Sequence, residues 1–206
     1  MNIFSRIKTF LKQEPEEQFV GYSVPELKSV FAKASLPRNS FLLPPGTNSL
    51  KGIGIAAYYT SLIIDQRDTL DFFALIESNF NYATERAFND LCVKKYSNTH
   101  KNEHLIFFTS SREFNSVTVR LVTNSTEFLA AIVDEKFSVP PPWVAFEGYN
   151  PSWWGGHMQG AQAYYNDNYF LPFFTELSDL ERLAYYARFE ATDEWIKALD
   201  LMYDVE

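Results

Sequence analysis

The stretch His104–Val122, which reads HLIFFTSSREFNSVTVRLV, sets the class of fold that this sequence predicts. Two strand-like runs, residues 104–109 and 117–122, flank a mostly polar segment, which is the pattern of a β-hairpin with a wide loop. The second run alternates apolar positions with positions that include Thr118 and Arg120, so we expect one buried face and one partly wet face. The hairpin predicts an antiparallel sheet in the middle of the chain.

The sequence before this hairpin predicts a strand and then a helix. Leu50–Ile64 is apolar and rich in Ile and Tyr, which indicates a strand, bent or bulged at its glycines. From Thr69 to about Tyr96, apolar residues recur at spacings of three and four, which predicts one long helix or two helices joined near Asn79. Cys92 falls within this pattern, and we expect it to be a small core residue.

Helices are also predicted after the hairpin. One begins at residues 124–126 and continues to about Lys136. Ser178 and Glu181 have the spacing of a capping box, and Thr192 can cap a last helix. Together these elements predict an α+β fold, in which helices pack on one face of a small, mostly antiparallel sheet and a helical segment forms the C-terminal end.

The length of the chain predicts a single globular domain. A chain of 206 residues fits one domain over residues 1–206. The three prolines Pro140–Pro142 mark a candidate internal boundary near residues 138–143, although prolines only stiffen a connection.

The first residues predict a short amphipathic helix over residues 3–13. Its apolar face comprises Ile3, Phe4, Ile7, Phe10 and Leu11, and its other face carries Arg6, Lys8 and Lys12. Such a helix either touches a membrane surface or docks on its own domain.

Composition excludes several classes of function. The formal net charge is −8, which disfavours nucleic-acid binding because neutralising phosphates needs clustered Lys and Arg. No apolar run reaches about 18 residues, so no membrane insertion is expected. A single cysteine permits no intrachain disulfide, and the N-terminus lacks the apolar run and cleavage site of a signal peptide, so we expect a cytoplasmic location.

The stretch from Trp143 to Phe174 is the richest in aromatic residues. Of its 32 residues 11 are aromatic, and its middle contains loop-forming Gly, Asn and Asp. One interpretation is that the rings fold back as a second core. The other is that one or two rings stay exposed and recognise a partner, because large rings offer much contact area at modest entropic cost.

Candidate catalytic residues are few. The three histidines are His100, His104 and His157, and their spacing provides no set of metal ligands, so no metal or other cofactor is expected. His157 follows two glycines and could act as a general base oriented by Asp167. The pair Gly52 and Gly54 is only a fragment of a dinucleotide-binding pattern.

In size, acidic charge, apparent compartment and aromatic loop, the chain resembles bacterial immunity proteins, which neutralise a cognate toxin in the cytoplasm. The resemblance implies tight one-to-one binding that blocks a toxin domain, without enzymatic activity or cofactor. Residues 176–206 contain nine acidic and three basic side chains, which would steer a basic toxin. The expected partner-binding residues are Trp153, Trp154, His157, Gln159, Tyr165, Glu190, Asp193 and Glu194.

Two other classes of function stay open. One is a small hydrolase that uses His157 with a nearby carboxylate such as Asp167. The other is a module that binds a carbohydrate or another small ligand, with Trp153 and Trp154 stacking on the ligand.

Overall fold

The structure, a computed structural model, describes residues 18–34, 36, 42–155 and 158–203. The predicted helix over residues 3–13 lies outside these ranges and stays a prediction. Within the described ranges, no helix combines the length and the apolar character that crossing a membrane requires.

Six strands form one antiparallel sheet in the order β3-β4-β8-β7-β6-β5, and β1 and β2 form a separate small hairpin. The strands are β1 Gln18–Phe19, β2 Tyr22–Ser23, β3 Asn48–Ser49, β4 Tyr58–Ile64, β5 Asn81–Phe88, β6 Leu91–Asn98, β7 Glu103–Ser110 and β8 Val117–Thr123. The predicted hairpin is confirmed as β7 and β8, which pair from Leu105 with Thr123 to Ser110 with Thr118.

The helices lie mainly before β5 and after β8. They are α1 Val24–Val30, α2 Thr69–Asn79, α3 Thr126–Asp134, α4 Pro142–Ala145, α5 Ala161–Tyr165, α6 Leu171–Phe174, α7 Asp179–Arg188 and α8 Asp193–Tyr203. A π-helical turn, Asn166–Phe170, joins α5 to α6. Ser178 and Glu181 form the predicted capping box of α7, and the hydroxyl of Thr192 accepts a hydrogen bond from the N–H of Trp195 at the start of α8.

The prediction of helix from Thr69 to about Tyr96 is wrong beyond Asn79. Residues 81–98 form the hairpin of β5 and β6, whose two-residue turn at Asn89 and Asp90 has φ values of +49° and +60°. Asn and Asp tolerate this left-handed backbone, which matches the twist of the two strands. The helical spacing depended partly on Ala83 and Ala87, which are both exposed, and such small side chains contribute little burial energy.

Two further local predictions, for Cys92 and for the strand over Leu50–Ile64, are also corrected. Cys92 lies on β6 and is exposed, so it is not a core residue. The predicted strand over Leu50–Ile64 begins only at Tyr58, because Leu50–Ile53 form a 3-10 turn that ends at Gly54 with φ +78°. Gly54 can adopt this left-handed backbone without a Cβ clash.

Helices α2 and α3 cover one face of the sheet, which confirms the predicted α+β class. Phe72 and Ile76 of α2 and Phe128 of α3 pack against Leu105 and Phe107 of β7. The opposite face is covered as well, which the prediction did not include. There α1 and the first hairpin pack on the central strands, and the C-terminal segment, residues 139–155 and 158–203, packs beside them.

An ion-pair network fastens the C-terminal segment to the end of β4. Arg188 Nη2 donates to Asp65 at 3.0 Å and to Asp68 at 2.6 Å. The N–H of Ser138 donates to Asp68 at 2.9 Å, and the N–H of Asp65 donates to the carbonyl of Ser138 at 2.8 Å. Because the Asp65 side chain is only 9% exposed, losing its partner would leave a buried charge uncompensated.

Candidate functional site

Most rings of the aromatic stretch fold back into a second core, so the structural interpretation holds for most of them. The buried members are Trp154, Tyr165, Tyr169, Phe170 and Phe174, joined by Tyr185, Tyr186, Phe189, Trp195 and Tyr203 from the last two helices. These rings meet mainly edge-to-face or tilted, which their quadrupoles favour.

Trp154 was expected at a partner interface, and its position corrects that prediction. The residue is 6% exposed, its Nε1–H donates to the hydroxyl of Tyr203 at 3.1 Å, and its ring lies 6.1 Å from that of Trp195. A ring that is surrounded by its own chain has no surface to offer a partner. Trp154 instead attaches the loop to α8.

Tyr165 is corrected in the same way. It is fully buried, its ring stacks on Phe170 at 6.2 Å, and its hydroxyl donates to the carbonyl of Pro140. Burial raises the pKa of Tyr165 well above its ordinary value, so the hydroxyl stays protonated as a donor.

Trp153 is the most exposed ring among the described residues of the aromatic stretch, with 65% of its surface exposed. The 3-10 turn Pro151–Trp153 holds its backbone, and the side chain of Asn150 caps the turn by accepting from the N–H of Ser152 at 2.9 Å. Tyr149 packs against Trp153, with ring centroids 6.0 Å apart. The hydroxyl of Tyr149 donates to the carbonyl of Trp153 at 3.3 Å. The exposed ring therefore stands on an ordered base.

Gly155 brings the loop against the last helix. Its φ is +120°, a conformation that side-chain-bearing residues rarely adopt, and a Cβ there would lie 3.3 Å from Sδ of Met202. Met202 is 36% exposed, so Trp153 and Met202 flank this close approach as the exposed apolar groups.

The predicted acidic residues lie on the same segment. Glu190, Asp193 and Glu194 are all exposed. Hydrogen bonds from its own backbone N–H and from Thr192 lower the pKa of Glu194, so it is ionised at neutral pH. Glu194 precedes Trp195 in the chain, and the ring of Trp195 lies 6.1 Å from that of Trp154, the residue after Trp153. The start of α8 and the turn that carries Trp153 are therefore joined through these two buried rings.

Among the described residues, the remaining predicted positions form no catalytic group. Gln159 is exposed, whereas His157 lies outside the described residues, so its pairing with Asp167 stays a prediction. Asp167 is exposed and accepts a hydrogen bond from Nδ2 of Asn166 at 3.1 Å. Among the described residues, no group of three or more His, Cys, Asp or Glu could hold a metal ion.

A polar cluster that sequence reasoning missed lies where the C-terminal segment meets the sheet. Oγ of Ser61 on β4 lies 3.0 Å from the hydroxyl of Tyr169, which lies 3.3 Å from the hydroxyl of Tyr164. Arg120 on β8 is the strand partner of Ser61, and its Nη2 donates to Glu113 at 3.0 Å. We call these five residues the hydroxyl cluster.

The hydroxyl cluster combines neutral hydroxyl groups with one ion pair. Burial raises the pKa of Tyr169 although its hydrogen bond with Ser61 acts in the other direction, so the two hydroxyls are neutral donors and acceptors at physiological pH. No sequence signal connects the five residues of the hydroxyl cluster. Arg120 on β8 and Tyr164 on α5, for example, are separated in the chain by several helices.

Comparison with protein-family models, with curated proteins and with solved structures finds no match to this chain. The geometry described above is therefore the basis for the function proposed below.

Proposed function

We propose that this protein is a non-enzymatic binding protein that captures a basic protein partner, in the manner of an immunity protein that neutralises a toxin. The observation that carries the proposal is the environment of Trp153, which is 65% exposed while the rings around it are packed. Trp is the residue type most enriched at energetic hot spots of interfaces. A large exposed ring on an ordered base pays little entropy on binding.

Charge supports the same class of partner. Residues 176–206 carry nine acidic and three basic side chains. Two of the basic ones, Arg182 and Arg188, lie over the rings of Phe174 and Phe189, and Arg188 also pairs with Asp65 and Asp68. The exposed acids would therefore attract a basic partner and raise its association rate at low salt.

The test is capture of a partner by wild type and by Trp153→Ala from lysate of the source organism, followed by mass spectrometry and titration of the captured protein. We expect one basic protein bound at one-to-one stoichiometry. Trp153→Ala should weaken that complex by about 2 kcal/mol or more, which is roughly 30-fold. The matched control is Leu201→Ala, since Leu201 is also a large apolar residue at the surface and is 90% exposed.

The outcomes separate the proposal from general stickiness. Equal loss of binding in Trp153→Ala and Leu201→Ala would mean that exposed apolar groups bind nonspecifically. A partner whose affinity is unchanged by Trp153→Ala, or by raising salt from 50 to 500 mM, would refute this assignment of the binding face.

The hydroxyl cluster favours a second candidate function, the binding of a small polar ligand. Tyr164 is 50% exposed, and Arg120 is 37% exposed, so solvent reaches both sides of the cluster. A panel of sugars and small acids, titrated while tyrosine and tryptophan fluorescence is recorded, tests it. A saturable signal that is lost in Tyr164→Phe would support this candidate, and a signal lost in Trp153→Ala would instead indicate stacking on the loop.

A further inference from the structure

Helix α7 presents a second apolar stripe to solvent. Leu180 is 80% exposed and Leu183 is 64% exposed, and Ala184 and Ala187 are exposed on the same face. The four residues stand at positions i, i+3, i+4 and i+7, the spacing of a face that packs on another helix. We call these four residues the α7 stripe.

The α7 stripe is not the face by which α7 is held in the fold. Tyr185, Tyr186 and Phe189 are buried on the other side of the helix, where they join the aromatic core. An exposed leucine by itself is ordinary, but two leucines and two alanines in helical register form a continuous patch.

An exposed acidic residue lies at each end of the α7 stripe, while Glu181 in the first turn of α7 pairs with Lys136. Asp179 at its beginning and Glu190 just after its end are both exposed. The arginines of α7 are turned inward, since Arg188 pairs with Asp65 and Asp68 and Arg182 lies 5.1 Å from the centre of the Phe174 ring. The stripe therefore suits an apolar face with basic flanks.

The chain contains one segment with that chemistry. Residues 1–12 carry Arg6, Lys8 and Lys12 and no acidic side chain. Their apolar residues, Ile3, Phe4, Ile7, Phe10 and Leu11, have the same three-and-four spacing as the stripe. We propose that residues 3–12 dock on the α7 stripe, covering Leu180 and Leu183 and placing their basic side chains beside Asp179 and Glu190.

The position of the first described residues permits this docking. The ring of Phe19 lies 5.8 Å from that of Tyr59, and Ser61, two residues further along the same face of β4, contacts Tyr169 of the C-terminal segment. From Tyr59 to Asp65, which Arg188 binds at the end of α7, β4 and the residue after it advance by about 20 Å. Six steps of extended chain from Lys12 to Gln18 reach about 20–22 Å.

That reach also predicts the orientation. The Arg188 end is the part of α7 bonded to β4, through Asp65, so we expect Lys12 to lie at this end, residues 3–12 to run parallel to α7, and Ile7 to lie beside Leu183. Because residues 3–12 and α7 belong to one chain, their effective concentration is high. A contact between two short helical faces can therefore form within the chain, although two free molecules would not associate through it.

A disulfide test addresses the contact directly. In full-length protein with Cys92→Ser, the pair Ile7→Cys and Leu183→Cys should form an intramolecular disulfide under mild oxidation, since the paired Cα atoms must approach within about 7 Å. The control pair is Ile7→Cys with Leu201→Cys, in which the second position is more accessible than Leu183, at 90% against 64% exposed. Equal yields from the two pairs, or disulfides only between molecules, would overturn the proposal.

Limited proteolysis provides a second readout without new cysteines. Docking should protect the trypsin sites at Arg6, Lys8 and Lys12, and Leu183→Glu should speed cleavage there by about tenfold or more, whereas Leu201→Glu should leave the rate within about twofold of wild type. Both substitutions are at exposed positions, so circular dichroism should show unchanged folding. Fast cleavage in wild type that only phosphatidylserine vesicles suppress would refute docking and identify a membrane surface as the occupant instead.

Discussion

Trp153 and Trp154 are neighbours in sequence and have opposite environments. Trp153 is 65% exposed, whereas Trp154 is 6% exposed and donates a hydrogen bond to Tyr203 at 3.1 Å. The 3-10 turn that ends at Trp153 and the extended backbone of Trp154 direct the two rings to opposite sides of the chain. One tryptophan therefore holds the loop to α8, and the other is available to a partner.

This difference predicts a large difference in stability between two otherwise identical substitutions. Trp154→Ala should lower the free energy of unfolding by about 3–5 kcal/mol, because it leaves a cavity in the aromatic core and removes the donor to Tyr203. Trp153→Ala should change it by no more than about 0.5 kcal/mol, because the ring is mostly in water. Urea unfolding followed by circular dichroism measures both. Comparable losses in the two variants would contradict the assignment of Trp153 to the surface.

The ion-pair network at Asp65 predicts sensitivity to acid. Burial would raise the pKa of Asp65, but hydrogen bonds from Arg67 and Arg188 outweigh it and leave the pKa below its ordinary value. A lowered pKa in the folded state gives stability that is present above the unfolded value of about 3.9 and is lost as the pH falls through the folded pKa.

We therefore expect wild type to lose more stability than Asp65→Asn as the pH falls from about 5 to 2. Glu113→Gln is the matched control, since it removes one carboxylate from a more exposed ion pair with Arg120. Parallel stability–pH curves for wild type and Asp65→Asn would show that the network contributes nothing to acid sensitivity.

His104 predicts a second, milder pH dependence. Burial lowers its pKa, with a further contribution from Lys95, and its Nδ1 is buried without a hydrogen-bond partner among the described residues. A lowered pKa for a base means that the unfolded chain takes up the proton first. Stability should therefore decline as the pH falls below about 6.5 and level off below the folded pKa.

His104→Phe tests this directly, because it removes the titration and keeps a ring beside Phe31, whose centroid lies 5.9 Å away. The slope of unfolding free energy between about pH 7 and 5 should flatten in this variant. The same substitution at the exposed His100 is the control, and a flattened slope there instead would locate the effect elsewhere.

A substitution at Glu190 should affect stability and partner binding in opposite directions. It follows the end of α7 with φ +52°, a left-handed conformation that glycine adopts far more readily. Glu190→Gly should therefore stabilise the fold by about 1 kcal/mol, measured as an increase in the denaturant midpoint. If the acidic surface steers a partner, the same variant should slow association at low salt. A loss of stability in Glu190→Gly would show that contacts of the Glu190 side chain stabilise the fold by more than the left-handed backbone destabilises it.

Local sequence signals predicted the elements that depend on local energies. The capping box of α7 and the hairpin of β7 and β8 follow from side chains within a few residues of each other, and both are confirmed. The hairpin at residues 81–98 was missed because its decisive signal, Asn89-Asp90, is a two-residue turn inside a stretch whose alanines imitate helical spacing. Pairing with β7 then favours strands over the helix.

The candidate site was predicted only in part. The sequence indicated the aromatic stretch and the acidic end as candidates, and Glu190, Asp193 and Glu194 are exposed, while their role in binding stays a prediction. The burial of Trp154 and Tyr165 was not predictable, because it depends on α8 and on Pro140, which reach them from distant parts of the chain. The hydroxyl cluster was missed for the same reason.

The sequence by itself determined the α+β class, the central hairpin, the helical C-terminal end and the acidic charge, since each follows from patterns over short windows. Only the tertiary structure decided which aromatic rings are core and which is exposed. Burial is a property of the whole packed assembly, and two adjacent tryptophans with the same local preferences are distinguished only by what the rest of the chain places against them.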